Sequence, residues 1–168
     1  MRLIIGYFGV APETAGTKKI IRRTTYGQEI DYYEIPDKQT VPVIRGEKFR
    51  FNADLYENKE FYETLSTEML WSMNQQERFW EMHAIMEYYW KMAVGSKRKF
   101  LRGIIGILVS QVKWQMEQYG VSGLVLERNL LLIEKETEFR RKDIVKGENY
   151  PIFFTEKFFG YFEQIYIT

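Results

Sequence analysis

The hydrophobic pattern changes character twice along the chain. Residues 2–8 (RLIIGYF) are β-branched and aromatic and stop at Gly9, which reads as a strand. Residues 17–26 (TKKIIRRTTY) and 29–35 (EIDYYEI) flank Gly27-Gln28 and read as a hairpin. A helix over 17–26 is the alternative, but Ile20-Ile21 and Thr24-Thr25 are branched pairs that favour the pleated state. Residues 40–44 (TVPVI) and 48–51 (KFRF), around Gly46, suggest a second hairpin, with Pro42 suited to an edge or a bulge.

From about residue 54 the period lengthens to that of a helix. Phe61, Leu65 and Met69 recur at helical spacing, and Asn74-Gln75-Gln76-Glu77 looks like a cap opening a second helix. That helix carries Phe79, Met82, Met86, Tyr89 or Trp90, and Ala93, with Gly95 at its end. A third, capped by Ser96, carries Leu101, Ile104, Ile105, Leu108, Val112, Met116 and Tyr119. Gly103 and Gly106 inside it each cost about 1 kcal/mol against Ala, a cost offset if a neighbouring backbone comes close there. After residue 120 the pattern is mixed. Residues 130–139 alternate Glu134, Glu136 and Glu138 with Lys135, Thr137 and Phe139, which suits a strand, as does YPIFFT at 150–155. In the tail, Phe158, Phe162 and Ile165 have helical spacing while the Tyr, Phe and Ile content favours strand, and strand is the reading for the final residues.

The expected fold is therefore α+β. β-rich N- and C-terminal segments (1–53 and 120–168) form one mostly antiparallel sheet, and about three helices (54–119) pack on one side of it. With no repeat or linker, 1–168 is expected to be a single compact domain.

Composition narrows the chemistry. The 168 residues contain no Cys and one His, which removes disulfides, thiolate metal sites and cysteine nucleophiles and weakens most acid–base schemes. No apolar run reaches the roughly 18 residues of a membrane span, and no signal peptide is visible at the start. A cytoplasmic protein with no cofactor and no membrane partner is expected. Lys and Arg number 24 against 23 Asp and Glu, so no bulk charge favours a polyanion. The outlier is the aromatic share of 17%, with 12 Phe, 12 Tyr and 4 Trp.

Gly9 and Gly16 bracket a loop followed by Lys18, but a phosphate-binding loop needs four residues between its glycines and Lys directly after the second. Here six intervene and Thr17 precedes Lys18. His83 and Glu87 lie one helical turn apart and could share a proton, but they are too few to hold a metal. Glu134, Glu136 and Glu138 on one strand face would suit a hard cation or, more simply, water.

Two partner classes remain. The basic residues fall in three clusters: Lys18, Lys19, Arg22 and Arg23; Lys97, Arg98, Lys99 and Arg102; Arg140, Arg141 and Lys142 near Lys146. Together with Tyr32, Tyr33, Phe49 and Phe51 on a sheet they could bind nucleic acid by charge and stacking. The C-terminal Phe153, Phe154, Phe158, Phe159, Tyr161, Phe162 and Tyr166 exceed what one strand face buries, so they form either an aromatic core or a protein interface. The leading expectation is a non-catalytic interaction or assembly protein that self-associates or binds a protein partner. Nucleic acid binding is the second reading and a small carboxylate-based enzyme the third.

The N-terminal order of strand, helix-or-strand and strand, followed by Val41-Pro42, resembles a thioredoxin-like half-domain, with Val-Pro similar to the cis-Pro strand of glutathione-transferase-like chains. The redox cysteines of that family have no counterpart here, and only residues 36–40 separate two of the strands. The cysteine-free composition rich in Lys, Glu, Ile, Tyr and Phe resembles that of small phage and archaeal-virus proteins, which implies a virion component or an inhibitor of host machinery.

Overall fold

The computed structural model describes residues 2–10, 18–33, 35 and 47–167. The chain divides into two compact units, Met1–Phe61 and Tyr62–Thr168. The loop at 11–17 and the segment at 40–46, with its Val41-Pro42, lie outside the described residues.

The first unit is a sheet. Strands β1 (Leu3–Phe8), β2 (Lys18–Arg23), β3 (Gly27–Tyr33) and β4 (Glu47–Asn52) are antiparallel throughout, in the order β2-β3-β1-β4. The expected β2–β3 hairpin forms, with its turn closed by the Thr24 and Gly27 backbones. Gly27 has φ +156°, and a Cβ there would lie 2.4 Å from the Tyr7 carbonyl oxygen, so only glycine fits. Because 18–23 is a strand antiparallel to β3, the strand–helix–strand order implied by the thioredoxin-like resemblance is not formed.

Register sorts the side chains. Leu3 faces Tyr32 and Ile5 faces Ile30, and with Tyr7 and Ile35 they make an apolar cluster on one side. The other side carries buried charge. Arg22 stands opposite Glu29 and donates to it at 2.7 Å and to Asp31 at 2.9 Å. Arg2 reaches the same Asp31 with two hydrogen bonds, at 2.8 and 2.6 Å. Burial alone would push the Asp31 carboxyl up, but the Arg2 hydrogen bonds and the charge of Arg22 outweigh it and hold it below the usual range.

The second unit is helical. The first unit ends in a 3-10 turn at Ala53–Glu57, the short α1 (Lys59–Glu63) spans the boundary, and then come α2 (Thr67–Gln75), α3 (Phe79–Met92), α4 (Gly95–Gln115) and α5 (Tyr119–Glu136). Then follow α6 (Arg141–Ile144), β5 (Val145–Lys146), β6 (Phe153–Phe154), α7 (Glu156–Phe162) and a π-helical turn at Glu163–Ile167.

Four expectations change. The helix expected from residue 54 is broken because Asn58 accepts from the Glu60 N–H and Ser66 caps α2 through the Met69 N–H. Among the described residues there are seven helices rather than about three, and the helical part dominates. Residues 130–136 are helix, not strand, because Leu126, Leu130 and Ile133 at i, i+4 and i+7 drive one face of α5 into the core. The alternating glutamates therefore do not form a row: Glu136 pairs with Lys99 at 2.6 Å and Glu134 accepts from the Arg141 N–H. Finally, the described C-terminal strands β5 and β6 pair with each other, not with the N-terminal sheet.

Asn74 was expected to open a helix; it lies inside α2 and does something else. Its buried amide accepts from the Phe154 N–H at 3.0 Å and donates to the Phe154 carbonyl at 3.3 Å. Gln111 on α4 makes the same two-way pairing with Ile152. Two side-chain amides thus replace a neighbouring strand for alternate residues of the 152–154 segment. The C-terminal aromatics close over it: Phe154 stands 4.6 Å from Phe158, and Phe162 5.2 Å from Tyr89. Burial, with the neighbouring Tyr88, pushes the Tyr89 hydroxyl up to about 12.

Two measurements check these frameworks. Asp31 has a folded pKa below its unfolded one, so its contribution is full above about pH 4 and is lost as pH falls through that range. Asp31→Asn should cost about 3–5 kcal/mol at pH 7 by denaturant titration and flatten that acid loss. Asn74→Ala leaves a buried N–H and C=O without partners and should cost about 1–3 kcal/mol, more than Gln75→Ala on the exposed side of the same helix.

Candidate functional site

Helices α4 and α5 form an antiparallel hairpin. Contacts run in opposite order along them: Lys99 with Glu136, Gly103 with Ile133, Gly106 with Asn129, Ser110 with Ser122. The two glycines make this possible. A Cβ at Gly103 would stand 2.3 Å from Ile133 Cγ1, and one at Gly106 would stand 2.1 Å from the Asn129 side chain. Asn129 is held there by donating to the Val125 carbonyl at 2.7 Å.

With its buried face committed to α4, α5 presents a second apolar face outward. Leu124 is 77% exposed, Leu131 64% and Val121 50%. Val125 and Leu132 are half-buried on the same side, and Ile105 of α4 joins them. At 100° per residue these α5 positions fall on one face, interrupted only by Arg128 and Lys135. A groove of about 470 Å³ runs between the helices, lined by Arg102, Ile105, Arg128, Leu131, Leu132 and Lys135 along with Gly106 and Asn129. All three cations are exposed, none makes an ion pair among the described residues, and no carboxylate lines the groove.

The expected sites fall out differently. Arg22 is 1% exposed and bound to Glu29 and Asp31, so it is structural, while Lys18, Lys19 and Arg23 lie on the edge strand β2. Arg98 lies over the Trp90 ring, Lys99 pairs with Glu136, and Lys97 is exposed in the first turn of α4. Arg141 pairs with Glu127 at 2.8 Å, Arg140 donates to the Phe139 carbonyl, and the exposed edge residue Lys142 sits in α6. The second and third clusters therefore meet near the α5 C-terminus, but much of their charge is neutralised locally. Of the sheet aromatics, Tyr32 is buried and Phe51 stacks on Tyr56 at 5.0 Å.

The aromatic tail resolves toward the core. Phe154, Phe158, Phe159 and Phe162 are buried within their own unit. Phe153, Tyr161 and Tyr166 are half-buried, and Tyr161 packs on Phe139 at 4.5 Å. His83 stands 3.8 Å from Glu87 as the spacing suggested; burial lowers its pKa, and Glu87 only partly opposes this. Among the described residues no group of three potential metal ligands occurs, and no helix is long and apolar enough to cross a membrane.

Residues 68–122 match a family model described as a domain of unknown function, DUF309. The match covers less than half of the chain. It spans α2 from its second residue, all of α3 and α4, and the first turn of α5, so it includes the α4 wall of the groove and stops short of Leu124. No curated protein and no solved structure matches the chain.

The sequence missed the α5 face because it read 130–139 as strand. Read at helical period, residues 121–135 would have shown apolar positions on two opposite sides of one helix. Substitution tests the close approach directly. Gly103→Ala gains about 1 kcal/mol of helix propensity but overpacks against Ile133 at a cost of about 1–3 kcal/mol, and should lower stability. Gly123→Ala, where nothing lies within 4 Å, should raise it by about 0.5–1 kcal/mol; thermal denaturation compares the two.

Proposed function

We propose that this chain is a non-catalytic protein–protein interaction module whose contact face is the α4–α5 groove, and that its partner is an acidic amphipathic helix. The supporting observation is α5 itself: apolar on two opposite sides, with only one side covered by its own unit. A helix of that kind loses part of its hydrophobic stabilisation until the second side is covered. Arg102, Arg128 and Lys135 decide the sign of the partner. A second copy meeting this face about a two-fold axis would bring like charges together, whereas an amphipathic helix carrying Glu or Asp beside its leucines would pair with them. A virion component or an inhibitor of host machinery is one setting for such a module, and that part rests on composition alone.

The test is fluorescence anisotropy of the full chain with a labelled Leu/Glu amphipathic peptide and, separately, a labelled single-stranded oligonucleotide. The reading expects saturable peptide binding, weakened at least about tenfold by Leu124→Ser with Leu131→Ser and, through its charge, by Arg128→Glu. Oligonucleotide binding without peptide binding would replace it with the nucleic-acid reading. A stable dimer by light scattering that Leu124→Ser and Leu131→Ser dissolve would replace it with self-association.

A further inference from the structure

A second concavity lies away from the α4–α5 groove, between the first turns of α2 and α7. It encloses about 270 Å³ and is lined by Thr67, Glu68 and Trp71 of α2 and by Glu156, Phe159 and Gly160 of α7. Trp71 and Phe159 meet nearly edge to face, with centroids 5.4 Å apart and planes 79° apart; Phe159, 2% exposed, backs the half-buried Trp71 ring, which supplies the accessible face. Glu68 and Glu156 stand at the rim, and no cation lines the slot. Hydrogen bonds from its own backbone and from Ser66 hold the Glu68 carboxyl below its usual range, so it is ionised at neutral pH. The adjacent Lys157 is engaged with Asp143 at 2.8 Å. Gly160 leaves the floor open: nothing lies within 4 Å of where its Cβ would be.

We propose that this slot, with the Trp71 ring as its aromatic wall and Glu68 and Glu156 at its rim, binds an alkylated ammonium group, carried either by a small quaternary amine or by a methylated lysine side chain. The chemistry selects this class among cations. A ring face attracts positive charge through its quadrupole, and the two carboxylates add a long-range pull. The walls are mostly ring and methylene carbon, with little to replace lost water. A bare ammonium is strongly hydrated and would forfeit that hydration, and a guanidinium would leave most of its five donors unsatisfied. A methylated ammonium has a diffuse charge and an apolar surface, and so loses least on entry. Both helix N-termini beside the slot are already capped, α2 by Ser66 and α7 by Thr155, so their N–H groups do not recruit an anion in its place.

The experiment is NMR titration of the full chain, following the Trp71 indole N–H assigned with Trp71→Phe. Three probes are used: choline, N-acetyl-trimethyllysine methylamide, and 3,3-dimethylbutan-1-ol, the neutral isostere of choline. The proposal expects saturable shifts with at least one cation and at least about tenfold weaker binding of the neutral isostere. Glu68→Gln with Glu156→Gln should weaken the cation about tenfold and leave the isostere unchanged. Gly160→Leu should fill the slot and abolish binding, with the fold confirmed by the remaining amide spectrum. Preference for choline or for trimethyllysine identifies the carrier. Equal binding of the isostere, no saturable shift with either cation, or indifference to the two Glu substitutions would overturn the proposal.

Discussion

The helical unit depends on how one short extended segment is satisfied. Residues 152–154 run through the interior with backbone N–H and C=O groups that no sheet is positioned to pair fully. Asn74 and Gln111 supply the missing partners, each offering one donor and one acceptor to the same residue. A buried peptide group without a partner costs more than most side-chain contacts return, so these two amides set where the segment can lie. Once it is fixed, Phe154 is fixed, and with it the stack of Phe158, Phe159 and Phe162 that closes the unit. Tied down in this way, α7 places Phe159 against Trp71.

Charge plays the corresponding part in the sheet. Arg22, Glu29 and Asp31 would each be costly to bury alone, and together with Arg2 they offset one another across neighbouring strands. This network also places Arg22 in the interior, apart from Lys18, Lys19 and Arg23 of the same cluster. The same local pairing recurs in the other unit, at Lys99 with Glu136 and Arg141 with Glu127. Arg102, Arg128 and Lys135, without an ion pair among the described residues, gather at a groove that also exposes leucines. Exposed apolar surface and uncompensated charge in one place make this groove the candidate for function.

Much of the fold was legible where a pattern had one explanation. Ile20-Ile21 of 17–26 gave strand β2, with Thr24-Thr25 falling in the turn after it, and the stripe from Leu101 to Leu108 gave α4. The unusual Gly103 and Gly106 in that stripe proved to be the points where α5 comes closest. The errors share a cause. Residues 130–139 carry glutamates at period two, while the buried Leu126, Leu130 and Ile133 recur at period three to four. The acidic alternation carried no weight in folding, because exposed glutamates tolerate either backbone while buried leucines do not. Asn74 was misread for a similar reason: a cap and a buried strand mimic use the same amide, and only the partner 80 residues away distinguishes them.

The sequence by itself determined the mixed α and β character, the absence of cysteine chemistry and the scarcity of histidine, because composition and local periodicity are properties of the chain. The tertiary structure decided which aromatics are core, which basic residues are neutralised and which face of α5 is left uncovered. Those outcomes depend on contacts between residues far apart in the chain, and a side chain's burial or charge balance is set by what folding places beside it.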